Sequence, residues 1–76
     1  MTAAQLTAAL DPKRLATAQA RAALAGITLV AIEGDNGRPE LVASRWGLTR
    51  RFSGDTGADV LTAAEQWLTT VTGKTA

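Results

Sequence analysis

Residues 40–52, ELVASRWGLTRRF, limit the fold more than any other stretch of this chain. They read as a β-strand, a break at Gly47 and a second strand, with the β-branched and aromatic residues Val42, Trp46, Thr49 and Phe52 spread over both sides of the glycine. The segment carries one of the two Trp residues, the only Phe and three of the eight basic residues. Strands need partners, and residues 27–32, ITLVAI, form a continuous β-branched run of the kind buried on at least one face. Between them, EGDNGRP at 33–39 is turn chemistry. Asn36-Gly37 is its strongest hairpin signal, because both residues tolerate positive φ. Strands at 27–32, 40–46 and 48–52 then form an antiparallel meander, the last two joined by a tight turn near Trp46-Gly47. One long bent strand over 40–53 is the competing reading.

Helices bracket this sheet. Asp11-Pro12 marks a start, with an N-cap carboxylate followed by a proline whose φ is preset for the first helical position. The helix runs over 12–25 and stops at Gly26. Leu15, Ala18, Ala22 and Ala25 share one face and Leu24 lies nearly opposite. An alanine face releases little transfer energy but permits close approach, so this helix docks against a neighbour. Near the C-terminus, Thr62-x-x-Glu65 is a capping-box pattern, and Asp59 offers a start three residues earlier. Leu61, Ala64, Leu68 and Val71 then form a core stripe flanked by Trp67, and Gly73 ends the helix. Residues 2–10 have helical spacing at Leu6 and Leu10, but a segment this short is marginal alone. The expected organisation is a partly ordered segment at 1–10, one α+β domain at 11–73 and a tail at 74–76. The domain has the order α-β-β-β-α, a three-stranded antiparallel sheet with helices on one face.

Composition removes several chemistries. Seventy-six residues bury a thin core, and with neither Cys nor His there is no disulfide framework, no Cys/His zinc site and no His-activated nucleophile. The net charge of +1 gives no global field toward nucleic acid or membrane. No apolar run approaches the ~18–20 residues of a membrane span, and the N-terminus lacks the basic region of a signal peptide. Glu33, Asp35 and Glu40 surround the first turn, but GDNGRPE does not match a calcium loop, so neither metal nor cofactor is expected. The expectation is a cytoplasmic protein that is not an enzyme.

The remaining chemistry is a basic cluster. Arg38 lies in the first turn, Arg45 on the second strand, and Arg50 and Arg51 on the third. Placing Val42, Trp46, Leu48 and Phe52 toward the helices puts Arg45 and Arg51 on the outer sheet face, with Arg50 at an edge or rim. These four arginines are the candidate binding residues. The competing reading is a solvated face paired with Glu33, Glu40 and Asp55. Trp46 and Trp67 are expected to be core partners, with stacking by an exposed Trp46 as the alternative.

Two resemblances bear on function. The element order and the pattern RW-x4-RF ahead of an Ala/Trp helix, over about residues 27–72, look like the three-stranded DNA-binding domains of some phage integrases, whose strands enter the major groove. Separately, Arg21-Ala-Ala-Leu-Ala-Gly26, the Gly37-Arg-Pro39 turn, Ser44-Arg-Trp46, Leu48-Thr-Arg50 and Glu65-Gln-Trp-Leu68 resemble short uncharacterised proteins of Gram-negative proteobacteria, some of them prophage-associated. That resemblance implies a bacterial cytoplasmic accessory protein and no particular activity. The leading expectation is an interaction domain that binds another macromolecule, most simply a protein, through the sheet face and first turn. A DNA-binding module using the same arginines is the alternative. A self-associating domain that completes its core through the Ala-rich helix is the third reading.

Overall fold

The computed structural model describes residue 5, residues 9–35 and residues 37–72. The expected stop at Gly73, the spacing partner Leu6 and the tail fall outside these residues. Helix α1 (Pro12–Leu24) begins where Asp11-Pro12 predicts. The Asp11 carboxylate accepts hydrogen bonds from the Lys13 and Arg14 N–H groups at 3.2 and 3.5 Å. Asp11 itself sits at φ 57°, a left-handed conformation that Asp tolerates better than most residues. The helix closes with a Schellman motif. The Ile27 N–H donates to the Ala22 carbonyl at 2.8 Å and the Gly26 N–H to the Ala23 carbonyl at 3.0 Å, which needs Gly26 at φ 76°. The same turn delivers Ile27 into the core, where Leu15, Ala18 and Ala22 line the buried face of the helix. Leu24 points away and is 89% exposed.

Strands β1 (Thr28–Glu33), β2 (Pro39–Arg45) and β3 (Leu48–Phe52) form an antiparallel sheet in the order β1-β2-β3. A five-residue loop, 34–38, joins the first two. The Gly37 N–H donates to the Gly34 carbonyl at 2.9 Å and the Gly34 N–H to the Arg38 carbonyl at 2.8 Å. Gly37 supplies the positive φ (72°), while Asn36 lies outside the described residues. The second connection is tighter. Trp46 (φ 51°) and Gly47 (φ 81°) are the two turn residues, the pattern of a type I′ hairpin whose twist matches its strands. The chain therefore turns at Trp46-Gly47, and the long bent strand does not form.

That turn corrects the expected facing of β2. A two-residue loop sets residue 45 opposite residue 48, and cross-strand partners share a face. The rows Leu29–Ala43–Arg50 and Ala31–Leu41–Phe52 run across the sheet on the helix-facing side, and Arg45 and Leu48 continue that side. Val42 stands on the open face between Val30 and Arg51. Arg45 therefore faces the helix side and not outward. Arg51 is on the open face, as expected. The inward reading of Val42 relied on counting Trp46 as a strand residue. Once Trp46 belongs to the turn, Leu41 and Ala43 outweigh Val42 and Ser44 in the competition for the core.

Helix α2 (Gly57–Val71) starts five residues before the Thr62 cap. Thr56 is the N-cap, its hydroxyl accepting from the Asp59 N–H at 3.2 Å, and Asp59 occupies the favourable acidic first turn. Thr62 and Glu65 lie mid-helix and meet Arg14 of α1. The guanidinium grips both Glu65 oxygens, with Nη2 at 2.6 Å from Oε1 and Nε at 3.4 Å from Oε2. This hydrogen bonding to Glu65 raises the Arg14 pKa above its ordinary value. Arg21, two turns on, donates to the Thr69 hydroxyl at 3.1 Å. Both helices cover the same sheet face, and Leu41, Val60, Leu61 and Leu68 are fully buried between them. Leu10 is also fully buried, so the core includes at least one residue ahead of the expected boundary at 11.

Gly57 is buried because the Ala9 carbonyl packs against its Cα, where a Cβ would collide with that oxygen. Alanine in place of glycine normally gains ~0.5–1 kcal/mol in a helix. Overpacking against backbone costs ~1–3 kcal/mol. Gly57→Ala should therefore lower stability by roughly 1 kcal/mol in a urea or thermal melt. An unchanged or raised midpoint would mean the segment around Ala9 yields freely.

Candidate interaction site at the second hairpin

On the sheet, helix α2 packs chiefly against β2 and leaves β3 less covered. The uncovered strip is a depression of about 390 Å³. Its floor includes Ile27 and Ala43, both buried; Trp46, Leu48 and Trp67 line it, with Val71 at the helix end. Ala43 is small, so the space opposite Arg50 stays open. Trp67 is half-buried and packs on Phe52 with ring centroids 5.5 Å apart and planes tilted by 57°. The aromatic pair is thus Trp67 with Phe52, in place of the expected Trp46–Trp67 pair. Trp46 is not core: it is 84% exposed at the hairpin tip. Leu48 is 75% exposed. An adjoining depression is lined by Arg21, Leu24, Arg45 and Val71. Of the large apolar side chains exposed among the described residues, all except Val30 line one of these two depressions. Singly exposed apolar residues are ordinary, whereas a contiguous group at one end of a small domain marks a binding surface.

The four candidate arginines do not form one face. Arg38, in the first loop, pairs with Asp55 at 3.3 Å. Arg51, on the open face, pairs with Glu40, and the hydrogen bond to that carboxylate raises its pKa. For these two residues the solvated, paired reading holds. Arg45 and Arg50 line the hairpin depression instead. The Arg45 guanidinium lies 4.0 Å from the Trp46 ring centroid, and that of Arg50 lies 5.6 Å from the Phe52 centroid. Neither meets a carboxylate among the described residues. The Arg45 Nε is buried with no hydrogen-bond acceptor. A buried unmet donor costs ~1–3 kcal/mol, more than the ~0.5–1 kcal/mol of an exposed cation–π contact. The site is therefore apolar and cationic.

Sequence reasoning held an exposed Trp46 only as the alternative to a core Trp46, and it missed Leu48 as an exposed residue. The signal was the Trp-Gly dipeptide between two strand runs, where Gly47 suits the second position of a two-residue turn. No group of three or more Asp or Glu residues among the described residues is placed to hold a metal ion, and no described helix is long and apolar enough to cross a membrane. No protein-family model, curated protein or solved structure matches the chain.

A bulky residue at positive φ is strained by ~1–3 kcal/mol, and Asn is a favoured residue at this turn position. Trp46→Asn should raise stability by about 0.5 kcal/mol, a Tm increase of ~2–4 °C for a domain this size. A lower Tm would mean that the contacts of the indole with Arg45 and its surroundings outweigh the strain.

Proposed function

We propose that this protein is a non-enzymatic interaction domain that binds a partner protein through the depression at its second hairpin. The observation that carries this reading is the convergence of Trp46, Leu48 and Trp67 with Arg45 and Arg50, two guanidiniums without carboxylates among the described residues. Aromatic and Arg side chains in one apolar depression are the usual anchors of protein interfaces. A side chain of the partner fills the apolar floor, and an acceptor from the partner meets Arg45 or Arg50. This moves the working surface from the outer sheet face to the helix side of the same hairpin. A composition without His or Cys supports binding over catalysis, and the resemblance to short proteobacterial proteins supports a cytoplasmic accessory role. For duplex DNA the electrostatics are poor. Arg38 and Arg51 are already engaged by carboxylates, so few phosphates would be neutralised.

The test is selection of a displayed random-peptide library on the purified protein, followed by binding of the enriched peptides to a Trp46→Ser/Leu48→Ser variant. Both side chains are exposed, so the variant should melt close to the parent. Enriched peptides should lose about tenfold or more in affinity for it. Peptides that bind both proteins equally, or a selection that enriches nothing while duplex DNA binds at low salt, would overturn the reading.

A further inference from the structure

We propose that the outer edge of β3 receives an extended acidic segment of the partner as a fourth strand, a binding mode that rests on the hairpin-depression reading above. The backbone geometry supplies the first argument. The Gln19 side-chain amide donates to the Leu29 carbonyl at 3.1 Å. That carbonyl therefore points away from β2, which makes Leu29–Ala43 a non-hydrogen-bonded pair. Backbone groups alternate along an antiparallel strand, so Ala43 directs its N–H and C=O to Arg50 on β3. Thr49 and Arg51 then turn theirs to the outside. No hydrogen bond from a described residue meets them, whereas the β1 edge is partly closed by Gln19. An open edge is a template for strand addition.

Side chains supply the second argument. Alternate residues of an added strand fall on the helix-facing side, alongside Leu48, Arg50 and Phe52. Beside Leu48 is the apolar depression with Trp46 and Trp67. Beyond Arg50 is a shallower one of about 400 Å³, lined by Phe52, Ala63 and Trp67 among others. Arg50 stands between them and lines both. The matching segment is apolar, any, acidic, any, apolar. Charge selects this occupant over a second copy of the chain. Strand β3 reads Leu-Thr-Arg-Arg-Phe, so pairing with its own copy brings no carboxylate to Arg50.

The probe is the capped heptapeptide Thr-Leu-Thr-Glu-Thr-Leu-Thr, with Lys in place of Glu as its control, titrated into ¹⁵N-labelled protein. Binding should move the Trp46 and Trp67 indole signals and slow hydrogen exchange at the Thr49 and Arg51 amides by ~10-fold or more. The Lys peptide should bind about tenfold more weakly, and Arg50→Glu should reverse that preference. Thr49→Pro removes only an outward N–H, which an edge strand tolerates, and should abolish protection at Arg51. Should that variant misfold, the Arg50→Glu reversal and the wild-type exchange rates still decide. Indole shifts without protection at Thr49 and Arg51 would overturn strand addition and leave the depression reading standing. No binding at about 1 mM probe, with display-selected peptides still binding, would overturn the acidic class. Protection that rises with protein concentration in the absence of peptide would overturn it in favour of a second copy.

Discussion

The two-residue turn at Trp46-Gly47 is the constraint on which the rest of the molecule depends. It sets Arg45 opposite Leu48 and so fixes which half of β2 and of β3 lies under the helices. Leu41 then meets Phe52, Phe52 meets Trp67, and Ala43 meets Arg50. A slip of one residue would send Val42 and Ser44 inward and Leu41 to solvent. No gradual change connects the two arrangements, because side chains alternate with a period of two.

The core beneath this sheet is thin and relies on small residues. Ala18, Ala22, Ala43 and Ala64 are buried, which lets helices and sheet approach closely but contributes little per side chain. Each fully buried Leu contributes ~1.5–3 kcal/mol, so Leu10, Leu41, Leu61 and Leu68 carry a large share. Arg14 and Arg21 reach across from α1 to Glu65 and Thr69 of α2. These partly exposed contacts orient the helix pair more than they stabilise it. Their placement two turns apart on one face of α1 keeps the helices in a fixed register over the sheet.

The second hairpin departs from what stability alone would favour. An indole at positive φ, an exposed Leu beside it and a buried guanidinium Nε without an acceptor are each unfavourable in the isolated chain. They occur within a few residues of one another, next to an edge strand whose outward backbone groups meet no hydrogen bond from a described residue. Among its described residues the first loop, 34–38, has none of these features; its Gly37 and its Arg38–Asp55 pair suit an ordinary solvated loop. Local violations concentrated at one place are expected where a surface is completed by something else.

Much of the architecture was legible in the sequence because its signals are local. Asp11-Pro12, Gly26, the alanine stripe of α1, the β-branched run of β1 and the Leu61–Ala64–Leu68 stripe each follow from capping, backbone freedom or periodicity over a few residues. The α-β-β-β-α order with three antiparallel strands follows from them. The start of α2 was misplaced because Thr62-x-x-Glu65 imitates a cap, while the actual cap, Thr56, is followed by a Gly57 that only contact with Ala9 explains. The candidate site was legible only in part: the hairpin and its arginines were, their grouping was not. Local residue chemistry is enough for the elements, their order and the lack of Cys and His side chains. The buried face of β2, the pairing of Arg38 with Asp55 and of Arg51 with Glu40, and the depression that Arg45 and Arg50 share with two indoles emerge only in the folded chain. The reason is that facing and pairing depend on cross-strand register and on side chains distant in sequence, and a one-residue turn assignment inverts them.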